Sequence, residues 1–272
     1  PPMSLAAEPA LVLLSGGQDS ATCLAWALDR FGRVETIGFD YGQRHSREIE
    51  AAKTVAAMAG VASHEIVQVP QCLVSSSPLT DPEAHLERYS DAESMEDIIG
   101  DRRELTFVPM RNALFLTIAA NRAEANRIPN LVTGVCQMDN ANYDDCRMVF
   151  IDAAETYINT ALGHDHRGTP RIQIHTPLMF LSKADTVMEA FEDQACWAAL
   201  AFSHTSYSGE YPPIDKNHAN VLRAQGFELA NLPDPLVLRA VDEGLMALPL
   251  TGNYAGEALR LGRNQLITPT QD

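Results

Sequence analysis

The stretch LVLLSGGQDSATCLAWAL, residues 11–28, begins with an apolar run, continues through two adjacent glycines and ends in a helical pattern. An apolar run as short as Leu11 to Leu14 is typical of a strand buried on both faces in a parallel sheet. Gly16 and Gly17 permit a tight turn, and beyond them apolar residues recur at the spacing of a helix. The stretch therefore predicts a strand, a glycine turn and a helix.

The alternation of strands and helices continues along the chain. Thr36 to Phe39 is predicted to form a second strand, Ile49 to Ala59 a helix, and His64 to Val69 a third strand. This βαβαβ order predicts an α/β fold with a doubly wound parallel sheet and right-handed crossovers. Further helices are predicted over Arg111 to Ala125, over Met148 to Leu162 and from Lys183, and further strands over Leu131 to Val135 and Ile172 to Ile174.

A long insertion and the C-terminal region depart from this alternation. Residues 70–103 are rich in serine, proline and charge, so we expect a long loop or flap that contains one short helix. Beyond about His204 the sequence is irregular and then helical. We therefore expect residues 10–200 to form an α/β domain, and residues 201–272 to form a small, mostly helical cap packed on it as one unit.

The charge and cysteine content narrow the function classes. With 20 basic and 36 acidic residues the formal charge is −16, which disfavours the broad basic surface of a nucleic-acid-binding protein. The five cysteines are widely spaced without a CxxC pair, as expected of reduced thiols in a cytoplasmic protein. We find neither a run of roughly 20 apolar residues nor a signal-peptide pattern, and so expect a cytoplasmic protein with no membrane partner.

The turn Ser15-Gly16-Gly17-Gln18-Asp19-Ser20 is a candidate phosphate site. Backbone N–H groups of a glycine turn and of the helix that follows can converge on an anion. The carboxylate of Asp19 beside a phosphate calls for a cation, for which Mg²⁺ is the natural choice. The turn matches neither GxxxxGK[ST] nor GxGxxG. A turn without a ligand is the alternative, but the position between a buried strand and a helix favours phosphate binding.

Four further blocks accompany this loop: FDYGQRH (39–45), TFVPMRN (106–112), GVCQMDNANYDDCRMVFI (134–151) and TPLMFLSKAD (176–185). With them the chain resembles the 7-cyano-7-deazaguanine synthase (QueC) family of N-type PP-loop ATP pyrophosphatases, over about residues 10–235. The resemblance implies the PP-loop fold, also called adenine-nucleotide alpha-hydrolase-like. It also implies a homodimer.

The activity implied by the resemblance is that of a ligase forming C–N bonds with cleavage of ATP. The carboxylate of 7-carboxy-7-deazaguanine attacks the α-phosphate of ATP and pyrophosphate departs. Ammonia then displaces AMP to give an amide, and a second activation gives the nitrile. ATP and Mg²⁺ are the implied cofactors, and a deazapurine is the implied small-molecule substrate.

The resemblance also assigns site residues. ATP would be bound by Leu14, Ser15, Gly16, Gly17, Gln18, Asp19, Ser20, Phe39, Tyr41, Arg44, His45 and Lys183. The substrate pocket would comprise Arg111, Asn112, Gln137, Asp139, Tyr143, Asp145 and Arg147, with Cys146 beside them. Catalytic roles are expected for Ser15, Asp19, Ser20, Lys183 and Arg111. Any one of Arg44, Arg111 and Lys183 is equally compatible with surface charge, but their shared location after strand ends favours function.

One departure from the family concerns zinc. Four cysteines that hold a structural zinc in the family are replaced here by Ser206, Ile214, Asn217 and Asn220. A structural zinc site needs four thiolate or imidazole ligands, and the nearby histidines cannot supply them. We therefore predict that zinc is absent and that side-chain packing replaces it.

A second departure lies around the substrate. Met110 occupies the position of a family glycine, and Ala141-Asn142 replaces a serine–glycine pair. Because the ATP half is intact and the acceptor half is altered, an alternative is a ligase that joins the activated base to another amine. A protein N-terminus is one such acceptor, which would suit a bacterial antiviral defence system.

Two other functions are less favoured. A PP-loop enzyme that modifies tRNA is disfavoured by the net charge of −16 and by the lack of a CxxC pair. A non-catalytic nucleotide-binding protein is disfavoured by the intact phosphate loop and by Lys183.

Overall fold

Five parallel strands form the centre of the molecule in the order β3-β2-β1-β4-β5. The computed structural model describes residues 7–69, 72–81, 83–138 and 142–262. The order reverses beside β1, which pairs with both β2 and β4, so the predicted doubly wound sheet is confirmed. The strands are β1 (Pro9–Leu13), β2 (Arg33–Asp40), β3 (Ser63–Gln68), β4 (Asn130–Val132) and β5 (Gln173–His175).

Helices cover both faces of the sheet. Successive side chains of a strand point to opposite faces, and so Val12 packs with α1, α2, α7 and α8 while Leu11 packs with α4 and α5. None of the helices in the described ranges has the length and apolar character needed to cross a bilayer. The helices are α1 (Gln18–Arg30), α2 (Arg47–Ala59), α3 (Ala92–Ile99), α4 (Arg111–Ala125), α5 (Met148–Leu162), α6 (His164–Arg167), α7 (Lys183–Glu192), α8 (Gln194–Leu200), α9 (His218–Leu229), α10 (Pro235–Asp242) and α11 (Ala255–Arg260).

Several predicted boundaries coincide with the observed ones. Helices α4 and α5 begin and end where the sequence predicts, and α7 begins at Lys183. Ser182 caps α7 in a reciprocal pair with Asp185, in which the serine hydroxyl accepts from the Asp185 N–H. This capping box is worth about 1 kcal/mol, which explains why the helix starts there.

Strand β4 is shorter than predicted and ends at Val132 rather than Val135. The chain then passes against the first turn of α1, where a Cβ on Gly134 would lie 3.1 Å from the Asp19 carbonyl carbon and 3.2 Å from the Ser20 nitrogen. The close approach takes this segment out of the ladder and towards the loop between β1 and α1.

The predicted flap carries one short helix, α3, which packs on the C-terminal region. Met95 and Ile99 form a small core with Val221 and Leu222 of α9. The Tyr89 N–H also donates to the Lys216 carbonyl at 2.8 Å. The described part of the flap is therefore fixed to α9 rather than free in solvent.

Replacement of Gly16 by alanine is expected to lower the free energy of unfolding by roughly 3 kcal/mol, from overpacking and a left-handed backbone. Gly16 has φ +90, and a Cβ there would lie 2.4 Å from the Glu48 carbonyl oxygen and 2.6 Å from the Ala52 nitrogen. The measurement is urea unfolding of G16A and of the control G17A. At Gly17 the nearest atoms would be 3.6 Å away, so equal losses in the two variants would contradict the prediction.

Candidate active site

A cavity of about 320 Å³ opens at the carboxyl ends of the parallel strands. Ligands of open α/β sheets bind at this edge, beside the strand where the order reverses, and the volume suits a small-molecule site. Its walls come from the β1–α1 loop, the ends of β2 and β4, the first turns of α2, α4 and α7, and the segment 204–207.

The loop after β1 is shaped by the hydroxyl of Ser20. Its Oγ accepts from the Ser15 N–H at 3.2 Å and donates to the Gly17 carbonyl at 3.1 Å. The hydroxyl oxygens of Ser15 and Ser20 lie 3.2 Å apart, at the N-terminus of α1. The loop is thus held in a curved form whose hydroxyls and helix N–H groups face one end of the cavity, an arrangement suited to an anion.

Gln18 adds a buried amide to this loop. The residue is 5% exposed and lines the cavity. No described residue accepts a hydrogen bond from its Nε2. Because a buried donor without an acceptor is costly, this amide is suited to an acceptor supplied by a ligand or by water.

Lys183 reaches the same end of the cavity from the start of α7. Its Nζ lies 2.9 and 3.1 Å from the two carboxylate oxygens of Asp19. Gly226 of α9 makes room for its stem, because a Cβ at that position would lie 2.5 Å from Lys183 Cγ. The lysine is therefore fixed beside the phosphate loop by α1 and α9.

Asp19 fits the donor set that Mg²⁺ uses. Magnesium is commonly held by one or two carboxylates together with substrate phosphates, and Asp19 supplies one carboxylate beside the loop. The described residues contain no group of three or more His, Cys, Asp or Glu that would hold a metal by themselves.

Arg111 provides a further cation in the cavity wall, in the first turn of α4. Burial lowers its pKa, but the net shift is upward, and the guanidinium of arginine is not deprotonated in proteins. The guanidinium is therefore charged at any ordinary pH. Burial also raises the pKa of Tyr41 to about 12, so this neighbour stays neutral.

Tyr143 is held in the cavity wall by a buried carboxylate. Its hydroxyl donates to Glu104 Oε2 at 3.2 Å and contacts the Thr106 hydroxyl. Glu104 is 2% exposed and also accepts from the Tyr89 hydroxyl at 3.3 Å. These bonds fix the ring of Tyr143 relative to the flap.

Glu48 is a cavity residue that sequence reasoning did not single out. It lies in the first turn of α2, and its carboxylate lines the cavity. Burial raises its pKa to about 7, and the nearby Arg111 only partly opposes that rise. The available signal was its position: an acidic residue that opens the helix after β2 lies at the ligand-binding edge of the sheet.

Most predicted residues that the structure describes come together around this cavity. Phe39 lines it and stacks on Phe115 with ring centroids 4.1 Å apart. The other predicted residues among its walls are Leu14, Ser15, Gly17, Gln18, Asp19, Ser20, Tyr41, Arg111, Asn112, Gln137, Tyr143, Arg147 and Lys183.

Asn112 and Gln137 also make hydrogen bonds to neighbouring protein groups. The Asn112 amide donates to the Asp145 carbonyl at 3.1 Å and to Cys146 Sγ at 3.4 Å. Gln137 Oε1 accepts from the Met148 N–H at 3.3 Å, at the N-terminus of α5. Both side chains therefore help to set the position of the wall.

Gly16, Arg44, His45 and Asp145 do not lie among the described residues of the cavity wall. Arg44 is exposed and donates to the Ala84 carbonyl of the flap at 3.3 Å. The His45 ring packs edge-on against His204, with centroids 5.0 Å apart.

Asp145 lies behind the wall. Its Oδ2 accepts from the Asn112 N–H at 3.3 Å, where a carboxylate interacts favourably with the N-terminus of α4. Asp139, also predicted to bind substrate, lies outside the described residues.

The substitutions of family glycines keep the backbone conformation of glycine. Met110 has φ 64 and Asn142 has φ 53, both in the left-handed region that disfavours side chains. The Met110 side chain is 68% exposed, so its bulk points to solvent and not into the cavity. Asn142 donates to the Gly100 and Arg102 carbonyls at 2.9 Å each. The backbone conformation at Met110 and Asn142 therefore gives no support to the alternative in which the activated base is joined to another amine.

The residues at the four family cysteine positions do not fit a zinc ion. Asn217 donates to Ser206 Oγ at 3.2 Å and to Asp215 Oδ2 at 3.0 Å. Asn220 donates to the Asp215 carbonyl at 2.9 Å. Ile214 is 61% exposed. A hydrogen-bonded cluster therefore occupies this place, without the thiolate or imidazole ligands that zinc requires.

This cluster supports a segment that closes on the phosphate loop. The His204 N–H donates to the Gly16 carbonyl at 2.8 Å, and His204 Nε2 bonds with the Ser206 carbonyl at 2.8 Å. Nearby, Arg223 donates to Asp234 in a bidentate pair at 2.6 and 2.8 Å, and to Thr205 Oγ1 at 2.8 Å. The C-terminal region thus determines one side of the loop.

Replacement of Asn217 by alanine is expected to lower the free energy of unfolding by about 2 kcal/mol, because it removes a cap and buried hydrogen bonds. Asn217 is 1% exposed and caps α9 through the Asn220 N–H. Urea unfolding of N217A is compared with that of I214A, which alters an exposed side chain. We also expect EDTA to leave the melting temperature unchanged; a large drop, or one zinc per chain, would contradict this account.

Comparisons with known proteins point to the same family as the sequence motifs. Residues 9–231 match the family model described as Queuosine biosynthesis protein QueC. A 7-cyano-7-deazaguanine synthase of Laribacter hongkongensis is 48% identical over 233 residues, covering 85% of this chain and 95% of the relative. A protein of the same name from Chromobacterium violaceum is 45% identical over 238 residues, covering 87% of this chain and 96% of the relative.

Among solved structures, a predicted subunit of tRNA methyltransferase from Methanocaldococcus jannaschii aligns with a TM-score of 0.41 and 17% identity, covering 67% of this chain and 73% of that one. The curated relatives match most of the chain, and the family match over residues 9–231 includes the phosphate loop, Arg111 and Lys183. The chain belongs to the QueC family of queuosine biosynthesis proteins.

Proposed function

We propose that the protein uses ATP to activate the carboxylate of a 7-deazaguanine, and that a nitrogen nucleophile converts the product to the amide and then to the nitrile. Relatives named 7-cyano-7-deazaguanine synthase support this proposal, because they match 85% or more of the chain at 45–48% identity. The observation that carries it is a cavity lined both by an anion-binding loop and by the permanent cation Arg111.

The loop end of the cavity is suited to the departing pyrophosphate. Ser15 and Ser20 present two hydroxyls beside the N-terminus of α1, and Lys183 contributes a positive charge from α7. Charge that builds on a leaving group is best stabilised by donors already in place before the reaction. Mg²⁺ held by Asp19 and the phosphates would neutralise further negative charge.

Arg111 is suited to the carboxylate that attacks the α-phosphate. A buried guanidinium binds a carboxylate strongly and in a fixed orientation. Tyr143, fixed by Glu104 and Thr106, offers an aromatic face to a flat heterocycle. Binding both reactants in one cavity replaces a bimolecular encounter by a positioned one.

The direct test combines Mg·ATP and 7-carboxy-7-deazaguanine, with and without ammonium, and follows nucleotides and bases by mass spectrometry. We expect AMP and pyrophosphate, with the amide and then the nitrile accumulating when ammonium is present. Failure to form AMP under every condition would refute the proposal. If AMP forms and 7-carboxy-7-deazaguanine is consumed but no amide appears, the activated base is transferred to a different acceptor.

Replacement of Lys183 by alanine is expected to reduce kcat/KM for AMP formation by about 10²–10³-fold, as for loss of one donor to a developing charge. The reason is twofold: the cation beside the loop is lost, and Asp19 loses its lysine partner. Steady-state kinetics of K183A are compared with those of K53A, which removes an exposed lysine on α2. A K183A enzyme with the activity of K53A would contradict this role.

A further inference from the structure

Glu48 lines the same cavity as the phosphate loop and Arg111. Its backbone carbonyl packs against the phosphate loop. A Cβ added to Gly16 would lie 2.4 Å from this carbonyl oxygen. Its carboxylate interacts electrostatically with Arg111 of α4, with Tyr41 after β2 and with Tyr207 of the C-terminal region. Glu48 therefore shares the cavity with the loop that would hold a phosphate and with the guanidinium that would hold a carboxylate.

Arg111 is the cation that acts on the Glu48 carboxylate. In a fully formed pair, the guanidinium would hold the pKa of a glutamate well below its usual value. Instead burial dominates and raises the pKa of Glu48 to about 7. The group can therefore exchange a proton near neutral pH, which is the range in which a general base is most effective.

Four other titratable groups near the cavity, Tyr41, Tyr207, His204 and Asp19, are less suited to accept a proton. Burial raises the pKa of Tyr41 to about 12 and that of Tyr207 further. Burial lowers the pKa of His204 to about 4, so it is a weak base. Asp19 already accepts from Lys183.

We infer that Glu48 is the catalytic base that takes a proton from the nitrogen nucleophile as it displaces AMP, an assignment that rests on the proposed function. In this step the nitrogen of ammonia forms a bond to the acyl carbon. The bond from that carbon to the AMP oxygen breaks, and AMP leaves with the bonding electron pair. The nitrogen loses one proton to the Glu48 carboxylate, which gives a neutral amide, AMP and a protonated Glu48.

The assignment predicts that the two halves of the reaction respond differently to E48Q. Pyrophosphate release from ATP and 7-carboxy-7-deazaguanine, measured in a single turnover without ammonium, should change by less than about threefold. Amide formation at a fixed concentration of free ammonia should fall by about 10²–10⁴-fold, as for loss of a general base. E48D, which keeps a carboxylate, should recover part of that loss.

The pH profile separates a base from a merely structural residue. Deprotonated Glu48 is the active form, so the wild-type amide-forming rate should rise with pH through about 7 at constant free ammonia. E48Q should lack this rise. The control is E50Q, two residues away on α2, where an exposed glutamate pairs with Lys53; it should retain both half-reactions and the wild-type pH profile.

Thermal unfolding of each variant checks that the fold is retained. Equal loss of pyrophosphate release and amide formation in E48Q would overturn the assignment and would point to a role in substrate binding. Unchanged amide formation, or an unchanged pH profile, would overturn it as well. If the wild type itself released no pyrophosphate, the proposed function would fail together with the assignment, whereas the preceding outcomes remove the assignment alone.

Discussion

The contact between the phosphate loop and α2 at Gly16 is the constraint on which the site depends. Only a residue without a side chain allows the loop to lie against the backbone of Glu48 and Ala52. The same residue accepts the His204 N–H through its carbonyl. One glycine therefore joins the first βα unit, the next helix and the C-terminal region.

In the C-terminal region, a buried polar cluster occupies positions that the family resemblance assigns to zinc-binding cysteines. Ser206, Asn217 and Asn220 are buried and bonded to one another or to Asp215. Such a cluster fixes the chain only if its members are paired, because an unpaired buried polar group is costly. The cluster is connected to the phosphate loop through His204, which bonds to the Ser206 carbonyl and to the Gly16 carbonyl. The stability of this region therefore affects the shape of the site.

Local patterns in the sequence were sufficient for much of the fold. Helices α4 and α5 were predicted residue for residue because their apolar periodicity is clear, and the predicted start of α7 at Lys183 is also observed. The features that local patterns missed depend on contacts between residues that are far apart in the sequence. Glu48 and Tyr207 reach the cavity only because α2 and the C-terminal region fold over it. The replacement of a family glycine by Met110 suggested an altered substrate pocket, whereas the Met110 side chain is exposed to solvent.

The central claim is that a substrate carboxylate oxygen attacks the α-phosphate of ATP in the cavity between the phosphate loop and Arg111. The most direct measurement uses 7-carboxy-7-deazaguanine whose carboxylate carries heavy oxygen, followed by mass spectrometry of the nucleotide after amide formation. The account predicts that one heavy oxygen appears in AMP. AMP without the label, or label in orthophosphate with ADP as the nucleotide product, would contradict it.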